Sequence, residues 1–312
     1  MSTVDIVMST YNAGAYLESQ IASIISQTDS EWRLLIRDDG SSDQTLENIR
    51  KWIDRDSRIA LVSDEGGNVG VSESYSRLLS QTRSDIIMIS DQDDVWKPDR
   101  IRRGRENLEQ MMAVYGNDIP LLVHSDLELV DANDTLLASS FWRYQGINPG
   151  RAQRFMGMLV QNVVTGCTMT MNRSLLKQAL PIPKASMMYD WWLGLVASLW
   201  GDIRTEDEPL VCYRQHESNV LGAHHYGSSY ILRKMIKFYD RDALKQSITG
   251  VVEQASCFLN RYEDRIPMEF VRGLEFLAKL DHAGFLKKRY GIIRYGLWKT
   301  GIARNIGWFL RV

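Results

Sequence analysis

The sequence predicts an α/β fold with a mostly parallel central sheet, flanking helices and a helical C-terminal region. In the first 130 residues, short apolar runs alternate with amphipathic segments, as they do in the repeated β-α units that build a parallel sheet. Each apolar run ends in polar or glycine-rich residues, so four loops are expected to meet at one edge of the sheet. After about Gly222 the pattern is helical and amphipathic.

The spacing of apolar residues predicts the elements of the first half. The run 4–8 predicts a first strand, and the helix after it places Leu17, Ile21, Ile24 and Ile25 on one face. Runs at 32–36, 59–62 and 86–89 predict three more strands. The helices between them have apolar faces formed by Leu46, Ile49 and Ile53 and by Val71, Tyr75, Leu78 and Leu79.

The second half of the pattern is less regular. We expect a strand at 121–124, a weakly strand-like connector at 126–132, a helix at 151–161 and an alternating strand at 163–171. A helix is expected from Met187 to Trp200, followed by one or two strands at 203–213, broken by Pro209. These elements predict a first domain over 1–222 and a helical region over 223–312, with a boundary near 222–228.

The composition is that of a soluble globular protein with one large domain or two small ones. Of the 312 residues, 44% are hydrophobic and 24% are charged. Lys and Arg number 37 against 39 Asp and Glu, and this formal net charge of −2 argues against nucleic-acid binding. The three cysteines lack metal-type spacing and fit a reducing compartment. We expect neither a signal peptide nor a membrane-spanning helix.

Three carboxylates directly follow the fourth predicted strand. The apolar run 86–89 ends in Ser90-Asp91-Gln92-Asp93-Asp94, at the strand end where open α/β sheets place their ligands. Carboxylates this close repel one another, so a divalent cation, Mg²⁺ or Mn²⁺, is the expected counter-charge. Such an ion commonly takes further ligands from a diphosphate. The alternative is a solvated acidic turn before a helix that starts near Pro98.

Two other strand ends carry polar motifs. Ser9-Thr10-Tyr11-Asn12 follows the first strand, and Asp38-Asp39-Gly40-Ser41 follows the second. An aspartate in the second motif can accept the imide N–H of uracil or thymine, whereas the plain alternative is a helix cap with a tight turn. The acidic motif about fifty residues later favours the nucleotide interpretation.

With these motifs the chain resembles the large family 2 of inverting glycosyltransferases, which have a GT-A fold. The resemblance covers roughly residues 1–220, and the order and spacing of the motifs are specific although each motif is weak alone. The Asp91–Trp96 stretch, the later Asp-Trp-Trp and the Tyr-Arg-Gln-His look most like bacterial rhamnosyltransferases of cell-wall polysaccharide or O-antigen synthesis. Besides the motifs above, four more motifs carry the family resemblance: Asn68-Val69-Gly70, Thr165-Gly166-Cys167, Tyr189-Asp190-Trp191-Trp192 and Tyr213-Arg214-Gln215-His216.

The resemblance implies a nucleotide-sugar half at about 1–115 and an acceptor half at about 116–222. Asp93 and Asp91 would form the metal site for Mg²⁺ or Mn²⁺, with Asp91 on the ribose and diphosphate side. His216 would be a further metal or diphosphate contact, unless it is a structural histidine. The nucleotide site would comprise Thr10, Tyr11, Asn12, Asp38, Asp39, Asn68, Gly70, Asp91 and Gln92. Whether Asp38 or Asp39 contacts the pyrimidine base stays open.

The resemblance also implies that Asp190 is the general base that accepts the proton of the acceptor hydroxyl. The alternative is an aspartate that only caps its helix, and the chain departs from many relatives in having Tyr189, instead of Glu or His, before the base. Trp191 and Trp192 would offer a platform to the acceptor sugar or else belong to the core. Arg214 would face the diphosphate or form a surface salt bridge.

The implied reaction moves L-rhamnose from dTDP-β-L-rhamnose to a hydroxyl of a saccharide, expected to be polyprenyl-diphosphate-linked, and leaves an α-linkage. A UDP-hexose or UDP-N-acetylhexosamine donor is the alternative. A nucleotidyltransferase is disfavoured because residues 9–14 lack a glycine-rich signature with Lys or Arg. A non-catalytic saccharide-binding protein would require Asp91, Asp93 and Asp190 to be dispensable.

The C-terminal segment combines basic and aromatic residues. No Asp or Glu follows Asp281, whereas Lys287, Lys288, Arg289, Arg294, Lys299, Arg304 and Arg311 are interleaved with Phe285, Tyr290, Tyr295, Trp298, Trp308 and Phe309. This pattern suits an interfacial helix on an anionic membrane, so we expect a peripheral protein at the cytoplasmic face of the cell membrane. The alternatives are a helical cap on the catalytic domain or a contact in a homo-oligomer.

Overall fold

The structure is a computed structural model that describes residues 3–64, 66–216 and 241–312. The strands in chain order are β1 (Val4–Thr10), β2 (Trp32–Asp38), β3 (Ile59–Leu61), β4 (Ile86–Ser90), β5 (Val95–Trp96), β6 (Leu121–Ser125), β7 (Glu128–Val130), β8 (Leu136–Ala138), β9 (Thr170–Asn172), β10 (Asp202–Glu206) and β11 (Val211–Arg214). Seven of them form a main sheet in the order β10-β6-β9-β4-β1-β2-β3, and a second sheet has the order β5-β11-β7-β8.

The main sheet is mostly parallel, as the sequence predicts. Strands β3, β2, β1 and β4 pair in parallel. Strand β9 runs antiparallel between β4 and β6, and β10 is parallel to β6. The carboxyl ends of β1, β2 and β4 therefore lie at one edge of the sheet, and the polar motifs that follow these strands meet there.

The central strands are apolar on both faces because helices cover both faces of the sheet. Along β1, Val7 faces one core, whereas Ile6 and Met8 face the other. Strand β4 alternates in the same way, with Ile87 on the first side and Met88 on the second. This period of two is that of a pleated strand, and it explains why β1 and β4 appear in the sequence as continuous apolar runs.

The helices form two layers on the sheet. In chain order they are α1 (Leu17–Ile25), α2 (Thr45–Arg55), α3 (Val71–Gln81), α4 (Arg100–Tyr115), α5 (Phe141–Gln145), α6 (Pro149–Ala152), α7 (Phe155–Met158), α8 (Arg173–Ala179), α9 (Tyr189–Trp200), α10 (Arg241–Tyr262), α11 (Met268–Ala278), α12 (Phe285–Tyr295) and α13 (Ile302–Arg311). Apolar residues of α1, α2 and α4 line one core. Those of α3, α8 and α9 line the other, together with the C-terminal helices.

Two predicted elements of the second half are wrong in extent. The helix expected at 151–161 is two short helices, α6 and α7, and the strand expected at 163–171 is a 3-10 turn at Gly166–Thr168 followed only by β9. The reason is a tertiary contact, since this turn brings the Gly166 N–H to the carboxylate of Asp190. The helix expected from Met187 begins at Tyr189.

The C-terminal helices share a core with α9. Phe258, Ile292, Leu297 and Trp308 belong to the same buried cluster as Trp192. The predicted boundary near 222–228 lies outside the described residues. Within the described part of the chain, no helix combines the length and apolar character that crossing a bilayer requires.

Candidate active site

The loop after β1 is fastened to the loop after β4. The Tyr11 N–H donates to Gln92 Oε1 at 2.7 Å, and Gln92 Nε2 donates back to the Tyr11 carbonyl at 3.2 Å. The Tyr11 side chain is left 50% exposed at the mouth of the site, whereas Thr10 is buried. The structure thus joins two of the predicted nucleotide residues, Tyr11 and Gln92, through one reciprocal pair of hydrogen bonds.

Asp38 organises the loop after β2. Its Oδ1 accepts hydrogen bonds from Thr10 Oγ1 at 2.9 Å and Ser41 Oγ at 2.6 Å, and its Oδ2 accepts from the Ser41 N–H. Asn12, at φ +50°, donates its N–H to Ser41 Oγ at 2.9 Å. Asp38 and Asn12 therefore hold the first and second loops against each other.

Asp39 holds the third loop in place. It is buried, and it accepts hydrogen bonds from the backbone N–H groups of Val69 and Gly70, each at 2.9 Å. Gly70 has φ +83°, a conformation that strains other residues, and it is the N-cap residue directly before α3. Asn68 lies exposed beside this turn, and the structure places Asn68 and Gly70 next to the Asp38-Asp39 loop.

Arg37 is a residue of this site that the sequence reasoning missed. It is 1% exposed, donates to Asp39 Oδ1 at 2.6 Å and forms a two-point ion pair with Asp64 at 2.8 and 3.0 Å. The guanidinium holds the pKa of Asp64 well below its usual range. The available signal was an arginine directly after the apolar run Leu34-Leu35-Ile36 of β2 and directly before Asp38-Asp39.

Asp91 lies under two tyrosine hydroxyls. Tyr75 donates to Asp91 Oδ1 at 2.9 Å and Tyr189 donates to the same oxygen at 3.5 Å, while the two rings lie 4.1 Å apart. Burial, followed by repulsion from Asp93, raises the pKa of Asp91 to about 7. Tyr189, the residue that departs from many relatives, therefore directs its hydroxyl to Asp91 and not to Asp190.

Asp93 and His216 come together across 123 positions of sequence. His216 Nε2 lies 3.0 Å from Asp93 Oδ2, and the imidazole stacks on Tyr16 at a centroid distance of 4.6 Å. Burial raises the pKa of Asp93, with His216 acting in the opposite direction. An acidic cluster with raised pKa values at a strand end is the electrostatic setting in which a bound cation is stabilising.

The donor set fits a hard divalent cation. Two ligands about 2.1 Å from one ion and at right angles to each other are about 3 Å apart, which agrees with the Asp93–His216 spacing. Asp91, Asp94 and Cys167 also approach one another within 4.8 Å. We favour the first pair because Asp93 and His216 are partly exposed, whereas Asp94 and Cys167 are fully buried and a thiolate suits softer metals.

Asp190 is the second residue of α9 and lies in its first turn. Met188 occupies the N-cap position, so the alternative interpretation of Asp190 as the helix cap is wrong. Its carboxylate accepts hydrogen bonds from the N–H groups of Gly166 at 3.2 Å and Trp191 at 2.6 Å, and from the Asn162 side chain. Burial outweighs these bonds and raises the pKa of Asp190 to about 6.

Gly166 and Asn162 also escaped the sequence reasoning, which quoted Gly166 only as part of a motif. A Cβ at Gly166 would lie 2.1 Å from the Tyr189 hydroxyl oxygen, so only glycine allows this close approach. Nothing local marks Asn162, because its partner Asp190 is 28 positions away in the sequence.

The structure corrects the predicted acceptor platform. Trp192 is fully buried, donates its indole N–H to the Ala179 carbonyl at 3.1 Å and packs on Phe258, so it belongs to the core. Trp191 is partly buried against the same core and donates to the Met158 carbonyl. The helix face on which Trp192 lies points into the core.

Arg214 is buried, and Asp134, its salt-bridge partner, is exposed. Arg214 donates to the Asp93 carbonyl at 3.0 Å, pairs with Asp134 at 2.7 Å and lies over the Tyr16 ring at 4.9 Å. Through these contacts Arg214 holds the loop that carries Asp93 in place.

Comparison with known proteins gives a family match over more than half of the chain. Residues 5–180 match the model of glycosyl transferase family 2. An uncharacterized glycosyltransferase of Nostoc is 24% identical over 69% of this chain and 66% of its own length. The dTDP-rhamnosyl transferase RfbG of Shigella flexneri is 26% identical over 69% of this chain and 74% of its own. The Escherichia coli UDP-Glc:alpha-D-GlcNAc-diphosphoundecaprenol beta-1,3-glucosyltransferase WfgD is 27% identical over 60% and 68%.

Solved structures agree on the fold. TarS residues 1–349 of S. aureus, solved with UDP-GlcNAc, superimposes with a TM-score of 0.56 at 14% identity and covers 95% of this chain and 93% of its own. The mannosyltransferase PcManGT of Pyrobaculum calidifontis, solved with GDP-Man and Mn²⁺, also gives 0.56 at 14% identity, over 99% of this chain and 84% of its own.

Proposed function

This chain belongs to glycosyl transferase family 2 and is a glycosyltransferase with a GT-A fold, and from that premise we propose that it transfers L-rhamnose from dTDP-β-L-rhamnose to a hydroxyl of a lipid-linked saccharide. The transfer inverts the anomeric centre and leaves an α-L-rhamnoside. The product belongs to a bacterial cell-surface polysaccharide. The rhamnosyl donor is supported by the sequence motifs and by the name of the Shigella relative.

The observation that carries the mechanism is the setting of Asp190. Its raised pKa, about 6, makes the carboxylate a stronger base than an exposed aspartate while leaving it ionised at neutral pH. Asp190 accepts the proton of the acceptor hydroxyl as the new C–O bond forms at the anomeric carbon. The bond from that carbon to the diphosphate oxygen breaks on the opposite side, and the electron pair leaves with the diphosphate.

Mg²⁺ or Mn²⁺ would be held by Asp93 and His216, with Asp91 on the diphosphate side. The ion supplies charge neutralisation of the diphosphate. Arg214 keeps the Asp93 loop in position, and the hydroxyls of Tyr75 and Tyr189 orient Asp91. The nucleotide lies along the joined loops of Thr10 to Asn12, Asp38-Asp39 and Asn68 to Gly70, with Gln92 fastening the first of them.

A UDP-hexose or UDP-N-acetylhexosamine donor is the second candidate. A transferase with such a donor uses the same general base, metal site and loops. It differs only in the nucleobase and the sugar that the loops recognise. The name of the Escherichia coli relative, which includes UDP-Glc, supports this candidate. The same name includes a diphosphoundecaprenol-linked sugar, which supports a lipid-linked acceptor.

The deciding experiment is a thermal-shift panel of dTDP, UDP, GDP and CMP, each with and without Mn²⁺. A ligand at about 100 times its Kd stabilises a protein by roughly 2.7 kcal/mol, which raises Tm by several degrees. The proposal expects the largest shift with dTDP, and expects it to need the metal and to be lost in Asp93→Asn but kept in the control Asp99→Asn. A larger shift with UDP favours the second donor, and no shift with any nucleotide contradicts the transferase mechanism.

A further inference from the structure

Helix α13 carries apolar residues on two opposite faces. Trp308, and Val312 directly after the helix, are buried in the shared core, whereas Ile302, Ile306 and Leu310 are 81%, 55% and 56% exposed. The exposed three are spaced by four positions and form one stripe along the helix. A surface helix that only covers a core has one apolar face. The exposed apolar stripe of α13 is therefore available for contact with another apolar phase.

Helix α12 repeats this arrangement. Ile292 is buried, while Leu286, Tyr290 and Ile293 are exposed at spacings of four and three residues. Arg289 joins the two helices, because its Nη1 donates to the Val312 carbonyl at 2.6 Å and its Nη2 donates to the Leu310 carbonyl at 2.9 Å. The exposed stripes of α12 and α13, here called the outer stripes, thus belong to one fixed unit.

The exposed charge around the outer stripes is positive. Of the seven basic residues after Asp281, Arg289 and Arg304 bond to backbone carbonyls, and Lys299 lies 4.8 Å above the Trp308 ring. Lys287 and Arg294 on α12 are exposed, and Lys288 is partly exposed. No Asp or Glu follows Asp281 in the sequence. Two copies of this chain meeting face to face here would bring like charges together, which disfavours a dimer.

We infer that the outer stripes of α12 and α13 dock on an anionic lipid bilayer, with Lys287, Lys288 and Arg294 at the headgroups and the aliphatic side chains below them. A bilayer offers an apolar phase and negative charge together, which matches this surface on both counts. The inference deepens the proposed function. It rests on that function in one respect only, namely that the bilayer to which the protein binds is also where the lipid-linked acceptor is found.

The docking unit is fixed to the acceptor side of the active site. Thr300, between α12 and α13, donates its N–H to Gln161 Oε1 at 2.7 Å, and Gln161 Nε2 donates to Thr300 Oγ1 at 3.1 Å. The next residue, Asn162, is hydrogen-bonded to Asp190. The path from the proposed lipid surface to the proposed base therefore runs through two adjacent residues of one loop.

The test is co-sedimentation of the full chain with vesicles of phosphatidylcholine alone and with added phosphatidylglycerol. We expect binding to the anionic vesicles. Ile306→Gln with Leu310→Gln should weaken it at least about tenfold. The matched control is Leu136→Gln with Leu137→Gln on β8, where the exposed fractions are 56% and 54%, and it should bind as the unchanged chain does. Lys287→Gln with Lys288→Gln should cost about fivefold per charge and weaken the salt dependence, whereas Lys51→Gln should not.

Absence of binding to anionic vesicles, or equal binding by the Ile306→Gln, Leu310→Gln variant, would overturn the inference. So would a concentration-dependent dimer, seen in sedimentation velocity, that this variant abolishes without a change in vesicle binding. Unchanged thermal unfolding shows that each variant is folded. The nucleotide-dependent thermal shift separates the two proposals, because vesicle binding without any nucleotide shift supports the surface and contradicts the transferase mechanism.

Discussion

Asp91, Asp93 and Asp190 carry the same functional group, and their neighbours give them different properties. Asp91 lies beneath two tyrosine hydroxyls, Asp93 faces an imidazole, and Asp190 receives two backbone N–H groups at the start of a helix. Burial raises the pKa of all three. Asp190 accepts hydrogen bonds from the Gly166 and Trp191 N–H groups and from the Asn162 side chain, which lower its pKa and favour the ionised form near neutrality.

Replacement of Asp190, the proposed general base, is the most direct test at the scale of single residues. Asp190→Asn keeps the shape of the side chain and removes its ability to take a proton. We expect kcat to fall by about 10²–10⁴, measured as rhamnosyl transfer to a saccharide acceptor. The nucleotide-dependent thermal shift should stay as it is in the unchanged chain. A variant that retains full transfer would exclude Asp190 as the base.

The pH dependence of transfer tests the environment of Asp190. The carboxylate is the active form, so with a pKa of about 6 we expect kcat/KM to rise with pH through about 6 and then level off. The hydrogen bond from Asn162 lowers this pKa. In Asn162→Ala the pKa of Asp190 should therefore go up, and the acidic limb of the profile should move to higher pH.

The control for this shift is Gln161→Ala. It removes the contacts with Thr300 from the same loop without removing a partner of Asp190. The acidic limb should stay in place, although Tm should fall. An equal shift in both variants would mean that loop disorder, and not the hydrogen bond, moves the profile.

At the scale of elements, α4 approaches the sheet unusually closely at Gly104. A Cβ there would lie 2.6 Å from Arg100 Nη1 and from Thr170 Oγ1, and 2.8 Å from Met88 Cε. Arg100 is buried, donates to the Thr168 and Met169 carbonyls at 2.7 and 2.9 Å, and has its pKa lowered by burial to about 10. Through Arg100, helix α4 holds the segment that follows the Gly166 turn.

We therefore expect Gly104→Ala to destabilise the protein by roughly 1–3 kcal/mol, although alanine is the better helix former. The matched control is Gly307→Ala in α13, where a Cβ would meet nothing within 4 Å. That change should be neutral or should stabilise by up to about 1 kcal/mol. Urea denaturation measures both values, and equal effects of the two changes would refute the close-packing argument.

At the scale of the whole molecule, the C-terminal helices complete the core that α9 lines. Trp308 is almost fully buried and donates its indole N–H to the Leu297 carbonyl at 3.0 Å. Trp192, from α9, packs against Phe258 of α10 at a centroid distance of 5.2 Å. Removing α12 and α13 would expose this core, which is why the lipid test uses changes on the outer stripes and not a truncation.

Trp308→Ala tests this shared core. We expect a loss of about 3–5 kcal/mol in the free energy of unfolding, because a large buried side chain leaves a cavity. Unfolding should remain one cooperative transition when followed by tryptophan fluorescence and by far-ultraviolet circular dichroism in urea. Two separate transitions, with nucleotide binding retained after the first, would show that the C-terminal helices fold independently of the catalytic domain.

The sequence by itself determined the parallel sheet and the convergence of its loops. Apolar periodicity is a local property, and the parallel direction of β1, β2 and β4 then brings Thr10, Asp38 and Asp91 to one edge. The tertiary structure alone decided which partners these residues have. Tyr75 and Tyr189 on Asp91, Arg37 on Asp64 and the burial of Trp192 depend on contacts between distant segments, and no local pattern encodes them. Side-chain burial and pKa follow from those long-range contacts, so they became visible only once the chain was folded.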